Sequence, residues 1–173
     1  MPDGSAAIAV PPGPAADPGW TCIQLFPAVG VPYDADGRLL CNYCARRAVL
    51  LEDSTPVYGL DHGPLWRCPS CPAWVGCHRG SRDPLGRLAD LELRRAKQAA
   101  HRFFDPLWRH AERDLGWSRW RARSSAYAWL ADELGIPPDD CHIGWFDLGH
   151  CRRAVAVCRP WAERLRTRGL SHG

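Results

Sequence analysis

Cys41-Asn-Tyr-Cys44 and Cys68-Pro-Ser-Cys71 are two CxxC pairs with 23 residues between them, and their reading decides the fold of this 173-residue chain. A tetrahedral zinc ion takes four soft ligands, and each CxxC turn puts two thiolates on one side of the metal while backbone amides steady the sulfurs. Cys41, Cys44, Cys68 and Cys71 are therefore expected to share one zinc ion. Four protein thiolates close the coordination shell, so this metal is expected to hold the fold rather than to activate water or substrate.

The competing use of these residues is as disulfides or as unrelated buried thiols. Nine cysteines leave at least one thiol unpaired under any disulfide scheme. No Lys or Arg precedes Arg38, and the apolar stretch from Ala6 to Val10 is too short for the core of an export signal, which points to a reducing, cytoplasmic setting.

Working outward, Ala48 to Leu51, Val57 to Leu60, Leu65 to Arg67 and Trp74 to Gly76 read as short strands, separated by turns at Glu52-Asp-Ser-Thr-Pro56 and Asp61-His-Gly-Pro64. They make residues 41–80 a zinc ribbon, two knuckles facing each other across a small antiparallel sheet. Cys77 and His78 follow the second knuckle, and a strand running on from Cys71 carries them away from the metal. A ribbon of about 40 residues buries too little apolar surface to fold without its ion.

Residues 1–19, with Pro2, Pro11, Pro12, Pro14 and Pro18, read as a disordered tail, and residues 20–40 as a lead-in with a short strand from Cys22 to Phe26. Residues 81–166 read as a helical lobe. A first helix runs from Asp90 to Phe104, with Leu91, Ala99 and Phe103 among its apolar positions, and Pro106 ends or kinks it. Ser124 caps a second helix, whose Tyr127, Leu130, Ala131 and Leu134 recur at helical spacing before Gly135-Ile-Pro-Pro138 stops it. A third opens near Asp147, with Cys151, Ala154, Val155 and Cys158 on one stripe and Trp161 and Leu165 continuing past Pro160. The expected class is α+β, with Phe103, Tyr127, Leu130, Leu134 and Val155 in a core shared with the back of the ribbon. The apolar runs fall far short of about 18 residues, so no membrane span is expected.

The net charge of +3 is unevenly placed. Residues 79–123 hold twelve basic side chains against six acidic ones, with Trp108, Trp117 and Trp120 interleaved. Such a block suits a surface that meets phosphates and stacks bases, or else a solvated helix face whose aromatics point inward.

Two further sets of residues have the chemistry of a site. Cys141, His142, His150 and Cys151 have the composition of a second zinc site, although Cys151 and Cys158 also fall where a helix buries small groups. His101 and Asp105, one helical turn apart, point the same way, and His142 with Asp147 nearby completes a candidate hydrolytic set. Against an enzyme, the chain has no glycine-rich phosphate loop, no nucleophile elbow and no carboxylate cluster of the magnesium-binding kind.

Many short motifs, in order, carry a resemblance: Val57-Tyr-Gly59, Cys68-Pro-Ser-Cys-Pro-Ala-Trp-Val-Gly76, His78-Arg-Gly80, Pro84-Leu-Gly-Arg-Leu-Ala-Asp90, Leu93-Arg94, His101-Arg-Phe-Phe-Asp-Pro-Leu-Trp108, Ala126-Tyr-Ala-Trp-Leu-Ala131 and Cys141-His-Ile-Gly144 to Phe146-Asp147. Over residues 41–158 the chain resembles the zinc-finger-containing domain of phage, prophage and bacterial proteins. The resemblance implies the metal site and the domain extent and no assigned activity.

The leading expectation is a zinc-binding, nucleic-acid-binding accessory protein of phage or mobile-element type, meeting DNA or RNA through Arg46, Arg47, Arg79, Arg94, Arg95 and Arg102. One alternative is an adapter that docks a protein partner through an exposed tryptophan. The other is a metal-dependent hydrolase or nuclease using His101, Asp105 and His142.

Overall fold

The computed structural model describes residues 33–170, so the expected tail over 1–19 and the strand from Cys22 to Phe26 lie outside the described residues. Three strands, β1 (Val49–Leu51), β2 (Leu65–Arg67) and β3 (Trp74–Gly76), form an antiparallel sheet in the order β1-β2-β3. Val49 pairs with Arg67, and Arg67 pairs in turn with Trp74. Isolated bridges extend the sheet at its ends, Leu40 to Arg47 at the first knuckle and Trp74 to Ala89 at the far edge.

The expected strand from Val57 to Leu60 is instead a single helical turn, α1 (Thr55–Tyr58). Local turn chemistry overrides the β-propensity of Val57 and Tyr58. Pro56 fits a helix start, the Asp53 carboxylate accepts from the Thr55 amide at 2.7 Å, and Gly59 closes the turn at φ 78.

Three long helices follow. In α2 (Leu91–Asp114) the Asp90 side chain caps the Leu93 amide at 2.9 Å. The helix runs through Pro106, ten residues beyond the expected end at Phe104. Its buried stripe is Leu93, Ala100, Phe104, Trp108 and Ala111; Leu91 is exposed, and Ala99 and Phe103 are only partly covered. Burial on both sides of Pro106 explains why the lost amide does not end the helix.

α3 (Arg119–Leu134) is capped by Ser118, whose hydroxyl accepts from the Arg121 amide at 3.3 Å, and not by Ser124, which lies inside it. Gly135 terminates it in the left-handed conformation, φ 64. Two 3-10 turns, Pro138–Asp140 and Ile143–Trp145, lead to α4 (Leu148–Leu170), which continues through Pro160. Cys151, Ala154 and Cys158 form its buried stripe.

The molecule is an α+β unit with two adjoining cores. One, under the ribbon, gathers Leu39, Cys41, Cys68, Ala73, Val75 and Leu88. The other, between the helices, gathers Phe104, Trp108, Leu130, Leu134, Ile143, Phe146 and the α4 stripe, with Phe103, Tyr127 and Val155 packed against it. They are separate clusters rather than the single shared core expected, and the segment from Pro84 to Asp90 joins them. Within that segment Leu88 belongs to the ribbon core and Ala89 to the helical one.

Candidate metal centre and cationic surface

Each knuckle is built by short-range hydrogen bonds. In the first, the Cys41 amide donates to the Arg46 carbonyl at 2.8 Å, and the Ala45 amide to the Cys41 carbonyl at 2.8 Å. This fold-back puts Ala45 at φ 57, a conformation that costs a residue with a β-carbon roughly 1 kcal/mol or more. The second is the turn of the β2–β3 hairpin: Arg67 pairs with Trp74, and the Cys68 amide reaches the Ala73 carbonyl at 2.8 Å.

The hairpin and the fold-back bring the four sulfurs together. The Cys44 and Cys68 sulfurs are 3.5 Å apart, and all four lie within 4.8 Å of one another. Ligands at Zn–S of about 2.3 Å in a tetrahedron sit about 3.8 Å apart, whereas a disulfide needs about 2.05 Å. The set fits zinc and is not oxidised.

Amides from the turns steady the charge, with Tyr43 donating to Cys41 Sγ at 3.5 Å and Ser70 and Cys71 donating to Cys68 Sγ at 3.4 and 3.2 Å. Burial acts to raise the Cys68 pKa, but the Ser70 and Cys71 amides and the Cys44 and Cys41 sulfurs bring it down to about 7. Cys71 is pushed up to about 12, first by its hydrogen bond with the Cys44 sulfur. Four adjacent thiols resist ionising together until a dication neutralises them. With Cys41 and Cys68 buried and four protein sulfurs supplied, the site is a closed, structural one.

The other expected ligands are elsewhere. The Cys77 thiol donates to the Arg82 carbonyl at 3.4 Å and His78 starts a turn, so neither joins the metal. Among the described residues, Cys141, His142, His150 and Cys151 do not gather as a ligand group. Cys141 and Cys151 are buried in the helical core, where burial lifts their pKa values to about 12 and 11, and His150 Nδ1 sits 2.9 Å from Asp147.

The hydrolytic set is partly brought together. His101 Nδ1 lies 3.3 Å from Asp105, yet Asp105 also accepts from the Trp108 indole at 3.2 Å and pairs with Arg109 at 3.4 Å, which fits a tie within α2. His142 is stacked on Tyr127, with ring centroids 5.5 Å apart, and its Nδ1 accepts from the Gly144 amide at 3.2 Å. Burial, then the Arg123 charge, lowers its pKa to about 4.

The expected nucleic-acid contacts have different local surroundings. Arg46 donates to Ser70 Oγ at 2.6 Å, bracing the two knuckles against each other, and Arg47 is engaged by Asp34 at 2.7 Å and Asp36 at 3.0 Å. Arg79 and Arg95 are exposed. Arg94 donates to the Ala89 carbonyl at 2.5 Å with its guanidinium 4.4 Å over the Trp74 ring, and Arg102 sits 5.8 Å from the centre of the Phe103 ring.

Sequence reasoning missed an aromatic group on the sheet. Val49, Arg67 and Trp74 are directly opposed and so share one face. Tyr58 from α1 meets Trp74 edge-on at 4.7 Å, and His62 meets Tyr58 at 5.1 Å. Reading Val57 to Leu60 as a strand hid this, because a strand does not fold Tyr58 back onto β3.

A four-thiolate ribbon carried on a helical lobe defines a zinc-finger protein, and one whose metal is structural. The chain belongs to the family of zinc-finger-containing domains, whose model matches residues 38–160. No curated protein and no solved structure matches it. No helix among the described residues is long and apolar enough to cross a membrane.

Proposed function

We propose that this zinc-binding protein is a nucleic-acid-binding accessory protein of phage or mobile-element type, working in the cytoplasm and contacting single-stranded DNA or RNA through the outer face of its ribbon. The observation that carries the reading is the row His62, Tyr58, Trp74 and Arg94, in which each ring or guanidinium touches the next, with Arg67 beside Trp74 in the sheet. Tyr58 keeps 45 % of its surface exposed. Aromatic rings flanked by arginines stack bases irrespective of sequence while the cations meet the backbone. Zinc fixes the hairpin that presents Trp74.

Titration with mixed-sequence single- and double-stranded DNA and RNA at low salt, followed by tryptophan fluorescence, tests this. Quenching by single strands is expected, with Tyr58→Ala weakening binding by about 1–3 kcal/mol. Arg67→Ala should weaken it equally for all sequences and lower the salt slope by up to about 1. Absence of binding to any of the four would overturn the reading. Exposed Val49 and Tyr58 on the same face favour one second reading, a docking surface for a protein partner.

A further inference from the structure

Three cations of the basic block converge on one residue away from the ribbon. Trp108 is buried between α2 and α3, and the guanidinium carbons of Arg109, Arg119 and Arg123 lie 5.2, 5.2 and 5.6 Å from its ring centre. Sharing one centre, no two of them are farther apart than the sum of two such radii, about the screening length of physiological salt, so their positive fields overlap. The carboxylate of this group is Asp105, 3.4 Å from Arg109 and otherwise engaged by Trp108 and His101. Neither Arg119 nor Arg123 has a carboxylate within 4.0 Å among the described residues.

A neutral donor stands beside them. The Tyr127 hydroxyl oxygen is buried, with the Arg123 guanidinium and the Ile143 amide directed at it, and these oppose the burial that lifts this phenol to about 12. With donors at its oxygen, the hydroxyl keeps its own proton to donate to a ligand. His142, stacked on Tyr127, stays neutral under the same positive surroundings.

We propose that Arg109, Arg119, Arg123 and the Tyr127 hydroxyl bind a phosphate dianion, the group found at the end of a nucleic-acid strand or free as inorganic phosphate. Two uncompensated guanidiniums match two negative charges, whereas a phosphodiester within a strand carries one. Planar guanidinium forks suit phosphate oxygens, and the hydroxyl adds a donor that chloride does not need. The site goes beyond the ribbon-face reading, since its residues lie on α2 and α3.

The test is thermal unfolding of the full-length, zinc-loaded protein in millimolar inorganic phosphate against chloride at matched ionic strength. Phosphate should raise the Tm, because a ligand that binds the native state stabilises it. Arg119→Ala with Arg123→Ala should abolish the rise, and Arg113→Ala, whose guanidinium is paired with Asp114, should keep it. Should the alanine pair fail to fold, Arg119→Lys with Arg123→Lys retains charge without the fork, and calorimetric titration of phosphate should show affinity about tenfold weaker. No Tm rise in the wild type, or one that the double variants retain in full, would overturn the proposal. A 5′-phosphorylated oligonucleotide binding about tenfold tighter than its 5′-hydroxyl twin identifies a strand end as the source; equal binding with the phosphate response intact identifies free phosphate. Tyr58→Ala should leave the phosphate response unchanged, so failure of the ribbon-face reading is told apart from failure here.

Discussion

At Gly144 the chain has no room for a side chain. A β-carbon there would meet the Leu85 carbonyl oxygen at 2.1 Å, and one at Gly86 would meet the Gly144 carbonyl oxygen at 1.8 Å. The two backbones touch because the Arg87 amide donates to the Gly144 carbonyl at 3.1 Å and Lys97 donates to the same oxygen at 2.6 Å. Lys97 also reaches the Arg87 carbonyl, and its burial lowers its pKa to about 8. Gly144→Ala must therefore separate the segments that join ribbon and helices. A loss of at least about 3 kcal/mol is expected in chemical denaturation, the range of severe core damage. A loss below about 1 kcal/mol would show that the junction yields easily. Two residues back, His142 makes stability depend on acid. Its pKa is about 4 when folded and about 6.5 when unfolded, so between these values the unfolded chain binds more protons. Stability is intact above about pH 6.5 and falls toward pH 4, by up to about 3 kcal/mol from this residue. His142→Gln should flatten that part of the curve when the two are compared, and an unchanged slope would show that His142 protonates freely.

At the scale of elements, local signals and long-range packing divide what was legible. The CxxC pairs, β2, β3 and the stop of α3 at Gly135 rest on chemistry within a few residues, and each is found where the sequence puts it. α2 was misread because Pro106 was given the power to end it. With the helix stopped there, Trp108 and Ala111 dropped out of the pattern, and the pairs Leu91/Leu93 and Phe103/Phe104 left its phase open. Those later residues choose Leu93 and Phe104 as the buried set, and the covered stripe on α4 receives them. The junction and the cluster at Trp108 depend on contacts between distant segments, for which a single chain offers no local mark. The start of α3 provides a direct comparison. Ser118→Ala removes the observed cap and should cost about 1 kcal/mol, whereas Ser124→Ala, within the helix, should be neutral or slightly stabilising. Thermal melts of both variants decide it, and the reverse order would place the helix start six residues later, where the sequence pattern alone put it.

For the whole molecule, the two cores differ in what they need. The ribbon core has Leu39, Val75 and Leu88 as its large buried aliphatics and two zinc ligands as members, too little apolar burial to repay the entropy of ordering its chain. The helical core holds Phe104, Trp108, Leu130, Leu134, Ile143 and Phe146, with no metal ligand among them. Metal removal should therefore act unequally. In excess chelator the ribbon should unfold, because its metal-binding free energy is its folding free energy, and the environment of Trp66 and Trp74 should change in near-ultraviolet dichroism. The helical signal in the far ultraviolet should largely persist, with a lowered Tm, since the Arg87 to Gly144 contact and the Trp74 to Ala89 bridge lose their ribbon-side support. Cys68→Ser should reproduce this state without chelator and should not regain the ribbon when zinc is added. Full loss of helicity on chelation would mean that the helices cannot stand without the ribbon and that the molecule folds as one unit, while an unchanged ribbon would remove zinc from the account of its stability.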